Sequence, residues 1–240
     1  MKKSRIIAAV VVLVLFGTAT AGFSYLTMEV YKPEKGIKQE LKDEGATRKG
    51  YIVLGDETAD TALVFYPDEK VNYMAYGPIM ALIAEKGYMC IVPEIATGLA
   101  TLDYKAAKDA MEDYSEVTTW YIGGHGLGGQ AAAKYAVGNA DKFSGVVLLA
   151  SFSKKDLTGT NLSVLSVYGD CDTALDMVKY GEYRSNLPSK FTELIIEGGN
   201  HAQFGSYGGA QVKDSEAEIS QDEQQETAAE AITAFMDGKD

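Results

Sequence analysis

The chain has 240 residues, 46% of them hydrophobic, and a formal net charge of −12 at neutral pH. This apolar content is enough for a sizeable core and excludes a disordered chain. The negative charge argues against nucleic acid or an anionic membrane surface as the main partner, because both attract positively charged proteins.

The N-terminus has the pattern of an export signal. A basic segment at residues 2–5 precedes an uncharged, largely apolar run from Ile6 to Met28. About 20 such residues cross the hydrocarbon core as a helix, and the positive charges keep their flank in the cytoplasm. We expect an uncleaved anchor in the cell membrane with an extracytoplasmic domain. The alternative is secretion after cleavage near Ala21, which ends a small-x-small sequence.

Residues 1–30 are therefore assigned to the anchor or signal peptide, and residues 31–240 to one folded domain. Short apolar runs predict strands at 51–55, 61–67, 88–94, 118–124, 144–151, 161–169 and 191–199. Helices are predicted at 73–86, at 103–115 with Asp103 as cap, and at 127–137, 173–185 and 216–236. Such alternation indicates an α/β fold, a mostly parallel sheet with helices on both faces. The short connection at 151–161 leaves no room for a lid domain.

The strand at 118–124 leads through a glycine-rich turn into the helix at 127–137. This context is typical of the nucleophile elbow, G-x-S-x-G, in which a strained turn presents a serine above the sheet. Gly124 and Gly128 occupy the flanking positions, where helix and strand come too close for side chains. The central position is Gly126 instead of serine.

The motif WYIGGHGLGG resembles the WYIGGHSLGG of bacterial α/β-hydrolase fold-5 proteins. The segments FYPDEKV, SVYGDCD and IEGGNHAQFGSYG resemble the same family in the same order, over roughly residues 50–236. The resemblance implies an α/β-hydrolase fold and a small acyl hydrolase, most plausibly a carboxylesterase, that uses serine, aspartate and histidine. Its ligand would be a small ester or acyl compound.

The resemblance makes His201 the catalytic base and Asp172 the acid that orients it. The sequence itself agrees with His201 as the base, because the chain has only one other histidine, His125, and that one belongs to the elbow. The order elbow, aspartate, histidine is the one that α/β-hydrolases use. Asp170 is the competing acid, but the pattern G-x-x-D that starts at Gly169 favours Asp172.

The oxyanion hole would use the backbone N–H of Leu127 and one from the loop after the strand at 61–67, where Asp68 could donate. Family members usually have glycine in that loop, as in F-Y-P-G. Here Asp68 and Glu69 follow Pro67, and two carboxylates would repel a developing oxyanion. Three other nucleophilic residues lie near the same sheet edge, but none is a convincing replacement for the serine: Ser151, Cys171 and Ser206.

The motif from Gly124 to Gly129 also fits the G-x-G-x-x-G dinucleotide fingerprint. That fingerprint requires an acidic residue about 20 positions later, and none occurs before Asp156. We therefore expect no cofactor. We also expect no metal, because two histidines without clustered cysteines make no ligand set. The two cysteines, Cys90 and Cys171, should lie about four strands apart and remain free thiols.

Two functional hypotheses remain. The first is an acyl hydrolase by descent whose activity is lost or strongly reduced at Gly126. The second is a non-catalytic protein that binds a small ester or acyl ligand in the retained pocket, which should be shallow and open.

Overall fold

The computed structural model describes residues 30–207 and 214–239. Its strands are β1 (Thr47–Arg48), β2 (Tyr51–Leu54), β3 (Thr61–Tyr66), β4 (Met89–Pro93), β5 (Thr119–His125), β6 (Gly145–Leu149), β7 (Ser163–Gly169) and β8 (Phe191–Ile196). Its helices are α1 (Ile37–Asp43), α2 (Gly77–Ala84), α3 (Ala106–Asp113), α4 (Leu127–Val137), α5 (Met177–Tyr183) and α6 (Gln221–Met236). Short 3-10 turns occupy Tyr73–Tyr76, Arg184–Asn186 and Ala202–Phe204.

The strands form one sheet in the order β1-β2-β4-β3-β5-β6-β7-β8. Strands β4, β3, β5, β6, β7 and β8 run parallel, and β1 and β2 are added antiparallel at one edge. The predicted mostly parallel sheet is therefore confirmed. Parallel strands place all their carboxyl ends at one edge, where ligands of such sheets usually bind.

Two buried apolar clusters cover the two faces of the sheet, because successive side chains of a strand point to opposite faces. In β3, Leu63 and Phe65 join the cluster that contains α1, α2 and α6. Val64 and Tyr66 join the other, which contains α3 and α4. Helices thus cover both faces, as predicted.

Helices α3, α5 and α6 begin later than predicted, and tertiary hydrogen bonds set the start of α3. The Tyr66 hydroxyl accepts from the Ala107 N–H at 2.9 Å and donates to the Tyr104 carbonyl at 2.8 Å, so α3 begins at Ala106. The predicted cap at Asp103 is wrong, since the N-cap position is Lys105 and makes no side-chain cap bond.

The residues predicted to open the next helix instead form a turn. Asp172 accepts from the N–H groups of Ala174 and Leu175, and Asp176 caps α5 by accepting from the Lys179 N–H. The last predicted helix begins at Gln221, because Ser220 caps it by accepting from the Glu223 N–H. Helix α1 and strand β1 were not predicted.

Both cysteines are free, as predicted, with Cys90 buried and Cys171 half-buried. The predicted N-terminal anchor or signal peptide lies outside the described residues except for Val30. Within the described ranges, no helix combines the length and the apolar character needed to cross a membrane. The described residues from Tyr31 onward belong to one compact unit.

Candidate active site

The elbow lies where β5 ends and α4 begins. Gly126 has φ +50° and ψ −118°, a backbone conformation that L side chains rarely adopt. A Cβ at Gly124 would overlap the backbone of Gly128, and one at Gly128 would overlap the backbone of Tyr66. The buried Ser151 hydroxyl donates to the Gly126 carbonyl at 2.6 Å and holds the turn. The strained turn is thus present around a position that has no side chain.

The carboxylate of Asp68 occupies the space in front of Gly126. A Cβ built on Gly126 would overlap this carboxylate, and even Oδ2, the most distant of its three atoms, would be only 2.7 Å away. Asp68 Oδ1 accepts the Leu127 N–H at 2.7 Å, and the residue is only 6% exposed. An aspartate from the loop after β3 therefore fills the place where the elbow side chain would project.

Asp172 and His201 meet at the carboxyl edge of the sheet, after β7 and β8. His201 Nδ1 lies 3.0 Å from Asp172 Oδ2, and both residues are buried. The competing acid, Asp170, instead accepts the Gly198 N–H at 2.7 Å. The Asp172–His201 pair has the geometry of the acid–base pair of a serine hydrolase.

His201 lies between two carboxylates, because its Nε2 atom is 3.2 Å from Asp68 Oδ2. Burial lowers the pKa of His201, but hydrogen bonds and charge from Asp172 and Asp68 outweigh it and raise this pKa to about 10. The imidazole is therefore protonated at neutral pH. A protonated imidazole that already faces Asp68 is unable to take a proton from a nucleophile.

Tyr76 and His125 were not predicted to have a role in the site. Tyr76 connects Asp68 to His125, the histidine of the elbow. The Tyr76 hydroxyl accepts the Asp68 N–H at 3.0 Å and lies 2.9 Å from His125 Nδ1. The rings of His125 and His201 pack with centroids 4.3 Å apart. Burial, and then the charge of His201, lower the pKa of His125 to about 3, so this ring is neutral.

Both predicted oxyanion-hole donors are engaged within the protein. The Leu127 N–H is bonded to the Asp68 side chain, and the Asp68 N–H is bonded to Tyr76. An oxyanion hole needs donors that point at the site where the substrate oxygen develops its charge. In this geometry neither N–H is free for a substrate.

A cavity of about 280 Å³ opens to solvent beside these residues. Asp68, Gly126 and His201 form part of its wall, with Phe152 and Lys154 near them. No lid covers it among the described residues, which agrees with the expectation of an open pocket.

One donor atom from each of Asp68, His125 and His201 lies within 4.8 Å of the others, a spacing that a metal ion can bridge.

The comparisons with known proteins agree with this architecture. The chain resembles a monoacylglycerol lipase from Paleococcus ferrophilus (13% identity, 79% of this chain and 98% of that one, TM-score 0.60). It also resembles a thermophilic esterase from Thermogutta terrifontis (9% identity, 78% and 92%, TM-score 0.58) and a predicted CIB-like hydrolase from Thermoplasma acidophilum (16% identity, 78% and 91%, TM-score 0.57). At these identities the likeness concerns the fold.

Among curated proteins, no sequence match is found. A family model described as "Alpha/beta hydrolase family" matches residues 62–226, which is more than half of the chain. With the elbow turn, the Asp172–His201 pair and the sheet order already in place, this match decides the assignment: the chain belongs to the alpha/beta hydrolase family.

Proposed function

We propose that this protein is an acyl-hydrolase scaffold in which ester hydrolysis by the serine mechanism is lost or strongly reduced. The observation that carries the proposal is the position of Asp68, whose carboxylate fills the space in front of Gly126 and binds both Leu127 and His201. The nucleophile is absent, the base is engaged and the oxyanion hole is occupied by one side chain.

The three losses act on the same step. Removal of the nucleophile alone typically lowers kcat by about 10⁶ in a triad enzyme. Ser151 does not replace it, because the residue is only 1% exposed and its hydroxyl donates to the Gly126 carbonyl. The carboxylate of Asp68 also places negative charge where a tetrahedral intermediate would develop its own.

The backbone that carries Asp68 is held at several points, which supports a stable arrangement. The Val71 N–H donates to the Asp68 carbonyl at 3.2 Å, and the Lys70 N–H donates to the Gly98 carbonyl at 2.8 Å. The Tyr31 N–H in turn donates to the Lys70 carbonyl at 2.7 Å. A substrate would have to displace a carboxylate whose main chain is fixed on both sides.

The experiment is hydrolysis of p-nitrophenyl acetate by the full-length chain and a graded set of variants. Gly126→Ser alone should stay weakly active, because the new Cβ overlaps the Asp68 carboxylate. Gly126→Ser/Asp68→Gly restores both the serine and the glycine that related proteins have in this loop, and it should be the active form. Adding His201→Ala to this pair is the matched control and should abolish the gain.

The outcomes separate the hypotheses. A parent chain that is inert beside an active double variant supports a scaffold that lacks only its nucleophile and an open oxyanion hole. A parent rate within about 100-fold of an active double variant would contradict the proposal, since loss of the nucleophile should cost far more. A double variant that is folded and inert favours the binding role instead.

A second candidate function is non-catalytic binding of a small acyl ligand, and the open cavity beside His201 favours it. Lys154 lies at this cavity, so the carboxylate of an acyl ligand would meet a positive charge there. Equilibrium dialysis with short-chain carboxylates tests this role. Lys154→Gln should weaken binding, whereas an unchanged affinity would argue against a ligand in this cavity.

We further propose that the domain acts outside the cytoplasm and is tethered by the segment at residues 1–30. The support is the basic flank and the apolar run from Ile6 to Met28. Protease treatment of intact cells, followed by detection of the domain, tests the location. A domain that stays protected until the cytoplasm is opened would contradict it.

A further inference from the structure

The two histidines of the site are held in the same way. Nδ1 of His201 faces Asp172 Oδ2 at 3.0 Å, and Nδ1 of His125 faces the Tyr76 hydroxyl at 2.9 Å. In metal sites, a ligating histidine almost always has its other nitrogen fixed by a carboxylate or another oxygen group, which orients the ring. Both rings therefore have at Nδ1 an oxygen group of the kind that orients a metal ligand, and in each ring Nε2 is the nitrogen that could bind an ion.

One nitrogen from each ring lies close to the same carboxylate. A donor atom from each of Asp68, His125 and His201 lies within 4.8 Å of the other two. His201 Nε2 and Asp68 Oδ2 are 3.2 Å apart. Two donors that each lie about 2.0–2.1 Å from a tetrahedral ion are about 3.3 Å apart, so this pair is spaced for a shared ion.

His125 supplies an independent observation. Its Nε2 atom is fully buried and has no hydrogen-bond partner of normal geometry among the described residues, although the His201 backbone passes close to this ring. A buried polar atom without a partner costs about 1–3 kcal/mol. Coordination to a metal ion would give this nitrogen a partner.

The local charge points the same way. Two buried carboxyl groups, Asp68 and Asp172, lie on either side of His201. Buried charge is costly unless it is paired. A divalent cation between His201 and Asp68 would pair with these two acidic groups.

We propose that Asp68, His125 and His201 form a binding site for a divalent transition-metal ion, with Zn²⁺ as the best fit. Two imidazoles and one carboxylate are ligands of zinc and similar ions, whereas Mg²⁺ and Ca²⁺ prefer oxygen alone. The expectation of no metal, drawn from two histidines without clustered cysteines, did not include a carboxylate at the elbow.

Three protein ligands leave a fourth coordination position open. Asp68 and His201 belong to the cavity wall, so a small ligand with a carboxylate or acyl oxygen would reach this position from the cavity. The inference goes beyond the proposed function and does not depend on it. A metal can bind whether or not the parent chain hydrolyses an ester.

The test uses the full-length chain with a histidine-free tag, stripped with EDTA and titrated with Zn²⁺ by calorimetry. The wild type should bind one equivalent. Asp68→Asn and His125→Gln should each weaken the affinity at least about 100-fold, and Asp172→Asn about 10–100-fold, since it fixes a ligand from outside. Glu69→Gln is the matched control, a neighbouring carboxylate that should leave the affinity unchanged.

A measurement on the wild type does not require that the variants fold. The chain has only two histidines, so its NMR spectrum contains two imidazole rings, and both should shift when Zn²⁺ is added. Co²⁺ in the same site should give the strong visible absorption of four-coordinate cobalt. No binding, or one bound equivalent that leaves the His125 signals unchanged, would overturn the proposal. Neither result would alter the p-nitrophenyl acetate experiment.

Discussion

The close approach of the Asp68 carboxylate to Gly126 can be tested by adding one carbon atom at position 126. Gly126→Ala brings a Cβ to within 2.7 Å of the farthest Asp68 carboxylate atom, whereas nonbonded heavy atoms usually lie about 3.5 Å apart or more. The aspartate must then move by about 1 Å and weaken its bonds to Leu127 and His201, which costs about 1–3 kcal/mol. A side chain at φ +50° adds about 1–3 kcal/mol of backbone strain.

We therefore expect Gly126→Ala to lower the free energy of unfolding by about 2–6 kcal/mol, as measured by urea denaturation of the full-length chain. In the Asp68→Gly background only the backbone strain remains, so the same substitution should cost about 1–3 kcal/mol. The double-mutant cycle should thus show a coupling of at least about 1 kcal/mol. Penalties that add to within about 0.5 kcal/mol would refute the proposed occupation of the elbow by Asp68.

Three further predictions concern the surrounding structure. Tyr76→Phe should lower the free energy of unfolding by about 1–3 kcal/mol, because the buried N–H of Asp68 loses its acceptor; an unchanged urea midpoint would contradict this bond. Ser220→Ala should cost about 0.5–2 kcal/mol in the same assay through loss of the α6 cap, and Ser220→Asp should retain most of the stability. A thiol reagent should label Cys171 in the native protein, but it should label Cys90 only after unfolding, since burial raises the pKa of Cys90; equal labelling rates would argue against the described burial.

The sheet could be predicted because each strand from residue 51 onward is a short apolar run between turn residues. The start of helix α3 could not, since it depends on contacts distant in sequence. Helix α3 begins where the Tyr66 hydroxyl bonds the backbone at Tyr104 and Ala107, 38 and 41 residues later in the chain. A local pattern around Asp103 contains no information about that hydroxyl.

The residues of the site that belong to sequence motifs could be predicted. The order of elbow, aspartate and histidine pointed to Gly126, Asp172 and His201, and the structure brings these three to one sheet edge. The sequence also raised the negative charge at Asp68 as a difficulty for an oxyanion. What it did not indicate is that this carboxylate turns into the space that Gly126 leaves open and pairs with His201.

A signal for that arrangement was present, but it required two motifs to be considered together. Loss of a side chain at the elbow leaves a gap, and Asp68 lies in the loop that faces the elbow in this fold. The role of Tyr76 had no such signal, because its hydroxyl reaches Asp68 and His125 from a 3-10 turn that the sequence presents as ordinary apolar helix.

The first described residues of the domain run beside this site, and their backbone bonds hold the loops around it. The Tyr31 N–H donates to the Lys70 carbonyl, and the Tyr31 carbonyl accepts the Asn72 N–H, in the loop that carries Asp68. The Glu34 N–H donates to the carbonyl of Ser206, which follows His201 in the chain. A pull on the chain ahead of residue 31 would act on these loops first and on the sheet afterwards. A chain shortened past residue 34 would lack these bonds, and the loop that carries Asp68 would lose its backbone partner at residue 31.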